Sequence, residues 1–462
     1  MVNIGDNFDV MGSKVKTTSG RDKQPENRTD RASASFLFIG PMFAVQAYLT
    51  AVLIAFIWGP WPWPVVNAYK LYGFLILAQG MLLFGYLSSG RKRPCHDCWR
   101  LSWKHLLYIS LVLNGLWLYN NLVERTGHEY SSYTEIVASV RSGFVEPGVV
   151  YKASHEAMRE RGGASLGYLL TLAVSPLLSF MFPLTVLYWN LLGFGAKCLV
   201  AVLMLLDALT WVASGANKGL ADIVILLPFL LFARTAMVKR KVPWRKILVA
   251  VVAFACLGIG FFVSFERGQI GRANNVVHNL YDDSAGIEAD QNNVMLRHLA
   301  PNERYGVAAL LIYITQGYYG LSLCMELPYV PTYGLGNAYY TASWAGKFLA
   351  LRDVSNNTYP GRANEAFGWD DFARWDSIYP WLASDLTFPG TILAMALIGR
   401  LFALAWRDMV WGGHPVAAIV CCHLIILCIY IPANNQVLGF PRSGASFIVT
   451  LLWWLMSRRR LI

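Results

Sequence analysis

Apolar runs about as long as a bilayer is thick recur along this chain, and they restrict its fold more than any other feature. A spanning helix needs about 20 consecutive apolar residues. Runs of that kind occupy residues 35–58, 65–89, 105–122, 164–189, 192–213, 219–236, 246–265, 385–406, 415–431 and 444–457. A further run, 305–326, is apolar enough to span but contains Gln316, Gly317 and Gly320. Backbone N–H and C=O groups in hydrocarbon must be satisfied within the segment, so these runs take the form of helices. Only 15% of the 462 residues are charged, against about 25% in a soluble domain. The expected fold class is therefore an all-α polytopic integral membrane protein with about ten transmembrane helices.

Lys and Arg in short loops set the orientation, because positive loops stay on the cytoplasmic side. One such loop carries Arg91, Lys92, Arg93, Arg100 and Lys104, and another carries Arg234, Lys239, Arg240, Lys241, Arg245 and Lys246. The tail Arg458-Arg459-Arg460 is a third. All three fall inside when both termini are inside and the run 305–326 does not cross alone. That run is expected to form a re-entrant or interfacial hairpin with residues 328–349, since irregular backbone at membrane depth is tolerated when it is buried in protein.

Four regions follow. Residues 1–34 are polar and mixed in charge and are expected to be a disordered cytoplasmic tail, after which the first helix serves as its own insertion signal. Residues 35–265 hold seven spanning helices and an external loop, 123–163, in which Tyr130, Tyr133, Ile136, Val137 and Val140 share one face of an interfacial helix. Residues 266–384 form a large external loop, and residues 385–462 hold three more helices and the basic tail. A loop as long as 266–384 is functional or disordered, and its aromatic and Gly content argues for order.

The formal charge of +11 does not indicate nucleic acid, because the basic residues cluster beside apolar runs and form no aromatic-interleaved groove. Six of the eight cysteines lie in apolar stretches. Cys95 and Cys98 form a lone CxxC without the further ligands of a structural zinc site. No metal or cofactor is expected.

The polar chemistry concentrates in the external loop. Gly271-Arg272-Ala273-Asn274, shortly after Arg267, is repeated as Gly361-Arg362-Ala363-Asn364. A guanidinium grips phosphate oxygens with a planar fork, and glycine lets backbone N–H groups approach the same anion. Arg267, Arg272 and Arg362 are thus candidates for holding the diphosphate of a lipid-linked substrate, or else they pair with Glu266, Asp282 or Asp353. Arg442, in a short external loop, either joins them or anchors to lipid headgroups. Glu365, Asp370, Asp371, Asp376 and Asp385 supply possible acceptors for a sugar hydroxyl proton. Among these, Glu365, Asp371 and Asp385 form the candidate catalytic set. Interleaved aromatics, chiefly Trp369, Trp375 and Tyr379, offer stacking faces for pyranose rings, or else form an interfacial belt. Within the membrane, Lys218 can pair with Asp222, four residues on, or reach Asp207. His423 is expected to satisfy a hydrogen bond between helices.

In several places the chain resembles the Wzy-type polymerases, which join oligosaccharide repeat units in bacterial O-antigen and exopolysaccharide synthesis. Ala213-Ser214-Gly215-Ala216-Asn217-Lys218-Gly219 is similar to the family's small-residue turn with a basic residue at the outer face. Tyr313 to Leu321 and Thr332-Tyr333-Gly334-Leu335-Gly336-Asn337 resemble the glycine-rich part of its long loop, and Tyr379-Pro380 through Ser384 to Thr391 resembles the re-entry into the membrane. The resemblance implies a glycosyltransferase of the bacterial plasma membrane. Its substrate would be an undecaprenyl-diphosphate-linked oligosaccharide, and it would work alongside a chain-length regulator and a flippase. Arg267, Arg272, Arg362, Arg442 and Lys218 would bind diphosphate. O-antigen ligases share an external His followed after ten residues by Gly, a pattern that His128, His155, His278 and His298 all lack. A flippase would show short, even loops. A polyprenyl-sugar-dependent glycosyltransferase of another kind would carry acids in its first external loop, which here reads Gly59-Pro60-Trp61-Pro62-Trp63-Pro64.

Overall fold

The computed structural model describes residues 28–89, 94–95, 102–160, 166–238, 244–272, 280–338, 341–342, 353–369, 374 and 376–459. The chain divides into two units, residues 1–37 and 38–462. The contacts below all lie within the second; residues 1–27 of the expected tail fall outside the described residues, and residues 28–34, expected to be disordered, are helical.

Helices account for nearly all the described secondary structure. In chain order they are α1 (Arg28–Trp58), α2 (Ala68–Ser88), α3 (Trp103–Thr126), α4 (Tyr133–Val145), α5 (Pro147–Glu160), α6 (Leu166–Leu178), α7 (Met181–Tyr188), α8 (Phe194–Ala213), α9 (Lys218–Val238) and α10 (Trp244–Arg272). Then follow α11 (Pro301–Cys324), α12 (Asp353–Asn357), α13 (Tyr359–Phe367), α14 (Ile378–Val410), α15 (Pro415–Ile429) and α16 (Pro441–Arg459). Among the described residues the only sheet pairs Tyr281 with Glu288 and Asp282 with Ile287, antiparallel. Among the described residues, eight helical segments are long and apolar enough to cross a membrane: Phe36–Trp58, Ala68–Ser88, Trp103–Thr126, Gly167–Leu191, Phe194–Ala213, Lys218–Met237, Pro301–Cys324 and Ile378–Val410. The chain is therefore an all-α, multi-pass membrane protein.

The most extensive packing joins α2 to α14, and these two helices run parallel. Phe74 meets Tyr379 and Phe388 edge-on at 5.2 and 5.6 Å, Tyr86 meets Phe402 at 5.2 Å, and Arg407 donates to the Ser89 carbonyl at 2.9 Å. Glycine permits the closeness. A Cβ on Gly85 would lie 1.9 Å from the Ala396 carbonyl oxygen, and one on Gly399 would lie 2.0 Å from that of Leu82. Lipid supplies no hydrophobic drive to join helices, so contact of this kind rests on dispersion between closely approaching backbones.

At one end of the bundle the buried carboxylate of Asp408 gathers three elements. It accepts hydrogen bonds from the Cys95 N–H at 2.8 Å, Trp454 Nε1 at 2.9 Å and Arg458 Nε at 2.6 Å. The described basic residue Arg458 lies at this end, which is called the basic end below. His414 also lies here; its Nδ1 accepts from the Ala417 N–H, capping α15, while Nε2 contacts Ser457 Oγ at 2.8 Å.

Several helices depart from the expected bounds: α1 begins at Arg28 rather than 35, and α10 runs on to Arg272, into the expected external loop, rather than ending near 265. α14 begins at Ile378 rather than near 385, and it is interrupted at Thr387, whose φ of 64° and ψ of 166° are not helical. Pro380, Asp385 and Pro389 look like helix enders in sequence. Pro380 lies in the first turn of the leading segment and Pro389 in the first turn after the break, where proline is tolerated. The run 164–189 is likewise split, into α6 and α7. The run 305–326 is largely one regular helix, α11, which ends at Cys324, and residues 325–338 that follow are turns, bends and irregular backbone, so the expected second arm of a hairpin is not helical as far as residue 338.

The segment 58–70, which joins α1 to α2, contacts α11 from Ala308 to just past its end. Asn293, eight residues ahead of the helix, donates to the Trp58 carbonyl at 3.0 Å. Trp61 Nε1 donates to the Ala308 carbonyl at 3.0 Å, and Trp63 Nε1 to Thr315 Oγ1 at 3.3 Å. At the far end, Lys70 donates to the Met325 carbonyl and pairs with Glu326 at 3.3 Å.

The expected interfacial helix in loop 123–163 is two helices, α4 and α5. Tyr133, Val137 and Phe144 of α4 are exposed, in keeping with an apolar face turned toward an interface.

Candidate functional site

At the end opposite the basic one, the first turn of α9 carries Lys218, which pairs with Asp222 across one helical turn at 2.8 Å. The spacing places the two side chains on one helix face. Lys218 Nζ also lies 5.2 Å from the centre of the Phe440 ring. Both charged groups face a cavity of about 170 Å³ whose walls are Phe182, Pro183, Leu226, Ile419, Ile426 and Val437. Its remaining lining is polar and includes Ser179, His423, Gln436 and Ser443. Asp222 Oδ1 and Gln436 Oε1 are buried there without a hydrogen-bond partner. A buried acceptor left unpaired costs about 1–3 kcal/mol, and these two stand open to a donor such as a hydroxyl group, beside the Lys218 ammonium.

Charged residues from neighbouring helices border this region. Arg125 of α3 pairs with Asp207 of α8 at 2.9 Å, donates to Thr210 Oγ1, and lies 3.9 Å above the Trp211 ring. Asp207 is thus held by Arg125 and not by Lys218, whereas the pairing of Lys218 with Asp222 is present. Arg442, the second residue of α16, donates to Asn121 Oδ1 at 2.7 Å, and this neutral amide is its bonded partner. The expected helix-to-helix bond of His423 is not made. Its Nδ1 bonds within its own helix, to the Ile419 carbonyl at 2.9 Å.

The external loop forms a second assembly. Asp385 lies just before the break in α14, and its Oδ1 accepts from Thr332 Oγ1 at 2.5 Å, the Gly334 N–H at 2.8 Å and the Gly336 N–H at 3.2 Å. The turn that presents these donors has positive φ at Tyr333 (54°) and Gly334 (83°). Asp385 therefore clamps the glycine-rich turn, and this use of Oδ1 does not fit the expected role of free base, although Oδ2 is buried and unpartnered. The expected base Glu365 is exposed on α13, and Asp371 lies outside the described residues.

Arg362 is on α13, which Thr358 caps by accepting the Gly361 N–H at 3.1 Å. Its Nε donates to the Asn357 carbonyl and Nη1 to that of Pro328, while Nη2 is buried and unpartnered. The guanidinium stacks 4.7 Å from the Tyr359 ring centre. Burial pushes the Tyr359 phenol up, and Arg362 opposes that shift. The first copy of the repeated tetrapeptide ends α10. Arg267 is exposed there, while the Arg272 side chain and Ala273-Asn274 fall outside the described residues.

The expected sugar platforms are corrected. Trp369 and Tyr379 are both fully buried, the former against Tyr319 at 5.1 Å and the latter against Phe74. Their faces are occupied by protein, so neither presents a surface to a pyranose; Trp375 lies outside the described residues. The glycines that make run 305–326 unusual also have a packing reason. A Cβ on Gly320 would lie 2.2 Å from Asp376 Oδ1, and one on Gly317 would lie 2.2 Å from the Pro432 carbonyl oxygen. Arg374 pairs with the buried Asp282 at 2.5 Å.

The first external loop lacks a carboxylate in sequence but gains one in space. Asp290 donates its N–H to the Pro60 carbonyl at 2.8 Å, and a cavity of about 330 Å³ is lined there by Phe56, Trp61, Trp63, Tyr72 and Asp290 among others. Among the described residues no group of three or more His, Cys, Asp or Glu is placed to hold a metal ion.

Sequence reasoning missed Arg125, Asp290 and the cavity position of His423. An Arg near the end of an apolar run was the available signal for the first; the other two depend on contacts between distant segments. No family model, curated protein or solved structure matches the chain.

Proposed function

We propose that the protein is a polysaccharide polymerase of the bacterial plasma membrane, transferring a growing glycan from a polyprenyl diphosphate to a lipid-linked repeat unit at the outer face. The observation that carries this reading is the cavity at Lys218, which combines apolar walls with an ammonium group. A ligand that matches both is an anion attached to a hydrocarbon chain. Lys218 and Arg442, the latter bonded to a neutral amide, would compensate diphosphate charge as the leaving group gains it. The aromatic cavity at Trp61 with its carboxylate has the chemistry a sugar ring requires.

The reading includes a ten-crossing topology with α11 lying across the outer side. It is supported by the parallel course of α2 and α14, which start at the same end. It is also supported by the contacts of segment 58–70 with Ala308 and Thr315 of α11 and with Met325 just past its end. The basic end is then cytoplasmic, in accord with the bias of Lys and Arg.

Deleting the gene in its host tests the function. Single capped repeat units should replace long chains. Unchanged long chains would refute the proposal; finished chains that fail to reach their final acceptor would instead mark a ligase, and loss of all external units a flippase.

A further inference from the structure

We propose that His423 is the catalytic residue that accepts the proton of the attacking sugar hydroxyl, an assignment that rests on the Lys218 cavity being the transfer site. The Nδ1 of His423 is 2.9 Å from the Ile419 carbonyl oxygen. A carbonyl only accepts, so in the neutral ring Nδ1 carries the hydrogen and Nε2 holds a bare lone pair. Among the described residues Nε2 makes no hydrogen bond, while the residue lines the cavity with Lys218 and Asp222. The Phe447 ring, 5.7 Å away, limits rotation of the imidazole. A lone pair so placed can bind only a donor, and a sugar hydroxyl is the donor that a glycan acceptor offers.

Depth agrees with this role. Lys218 and Ser443 are the first and third residues of α9 and α16, while His423 lies six residues before the end of α15. The cavity therefore runs from the outer helix ends to about 9 Å below them, at 1.5 Å per residue. Water is scarce at that depth and charge interactions are stronger.

The step balances. The acceptor oxygen forms a bond to the anomeric carbon of the donor glycan as the bond from that carbon to the diphosphate oxygen breaks. The electron pair of the broken bond stays on the diphosphate, beside Lys218, and the hydroxyl proton moves to His423 Nε2. The imidazolium and the extra diphosphate charge arise together, and the proton leaves with the product or to solvent. Asp222 is the rival acceptor, since its Oδ1 is unpartnered. Its other oxygen is held by the Lys218 ammonium at 2.8 Å, and the Asp222→Asn variant below separates the two acceptors.

The experiment uses the full-length protein in lipid nanodiscs, with undecaprenyl diphosphate as the binding probe and a lipid-linked repeat unit for turnover. His423→Gln keeps a hydrogen-bond acceptor but cannot take the proton. It should bind the probe within about twofold of the native protein and lose at least about 10²-fold in turnover. His423→Ala should be partly restored by added imidazole. Native turnover in His423→Gln would overturn the assignment, as would an Asp222→Asn variant that loses turnover while His423→Gln keeps it. An intact His423→Ala variant that imidazole fails to restore would overturn it as well. Lys218→Met should lose probe binding; unchanged binding there would refute the cavity as the substrate site, a failure distinct from that of His423.

Discussion

Replacing Asp385 by Asn removes one charge from the clamp on the glycine-rich turn while keeping its shape. In the native protein a single oxygen accepts three hydrogen bonds, from Thr332 Oγ1, Gly334 N–H and Gly336 N–H. Bonds to a charged acceptor contribute about 1.5–3 kcal/mol each, and neutral ones about 0.5–1.5. Loss of the charge should therefore weaken the clamp by about 1 kcal/mol per bond, or roughly 3 kcal/mol in all. At about 1.4 kcal/mol per tenfold, opening of the turn should become roughly 10²-fold more frequent. Hydrogen exchange of a peptide covering residues 331–338 reads this directly, since two of the three donors are backbone amides. Asp385→Ala, which removes the acceptor altogether, should exceed Asp385→Asn. The rest of the protein should keep its protection, because the clamp joins only this turn to the start of α14. Unchanged exchange at Gly334 and Gly336 in both variants would refute the reasoning, and Asp385 would again be free to serve as a base.

Other perturbations reach different parts of the molecule. Asp408→Ala strands Arg458 and should destabilise the fold by about 3–5 kcal/mol in a denaturant titration. Asp408→Ala combined with Arg458→Met should recover much of that loss, and strict additivity in this double-mutant cycle would count against the pair. Gly320→Ala forces a methyl group against Asp376 and Trp369 and should cost about 1–3 kcal/mol, seen as a lower melting temperature. Arg125→Met should destabilise by a similar amount through the unpaired Asp207, and Asp207→Asn in the same chain should offset it. Trp369→Phe should leave turnover near native, because the ring is buried and its Nε1 makes no hydrogen bond; a large loss of turnover would restore it as a substrate contact.

The helices were legible because each run of apolar residues has only one way to satisfy its backbone in lipid. Their ends were less so. The expected run began near 385, whereas Pro380 and Pro389 each lie where a helical segment begins, and the φ of Thr387 explains why there are two beginnings within α14. The candidate site was legible as chemistry but not as geometry. Mixed acids and aromatics between 365 and 385 matched the composition of a sugar cleft, but composition does not say which way a ring faces, and Trp369 and Tyr379 face inward. Local pairs such as Lys218 with Asp222 follow from helical spacing. The partners of Asp207, Asp385 and Asp408 lie 50 or more residues away in part or whole, and no periodicity reveals them.

The glycine contact between α2 and α14 has a consequence for how the protein is made. Gly85 leaves the ribosome about 310 residues before Ala396, which at roughly 5–20 residues per second is a delay of about 15 to 60 s. Throughout that interval the narrow glycine face of α2 must wait in the membrane without its partner, able to accept another helix in its place. A chain truncated before residue 396 should thus retain its early helices yet be recognised by quality-control proteases, and the last fifth of the sequence decides the fate of the first hundred residues.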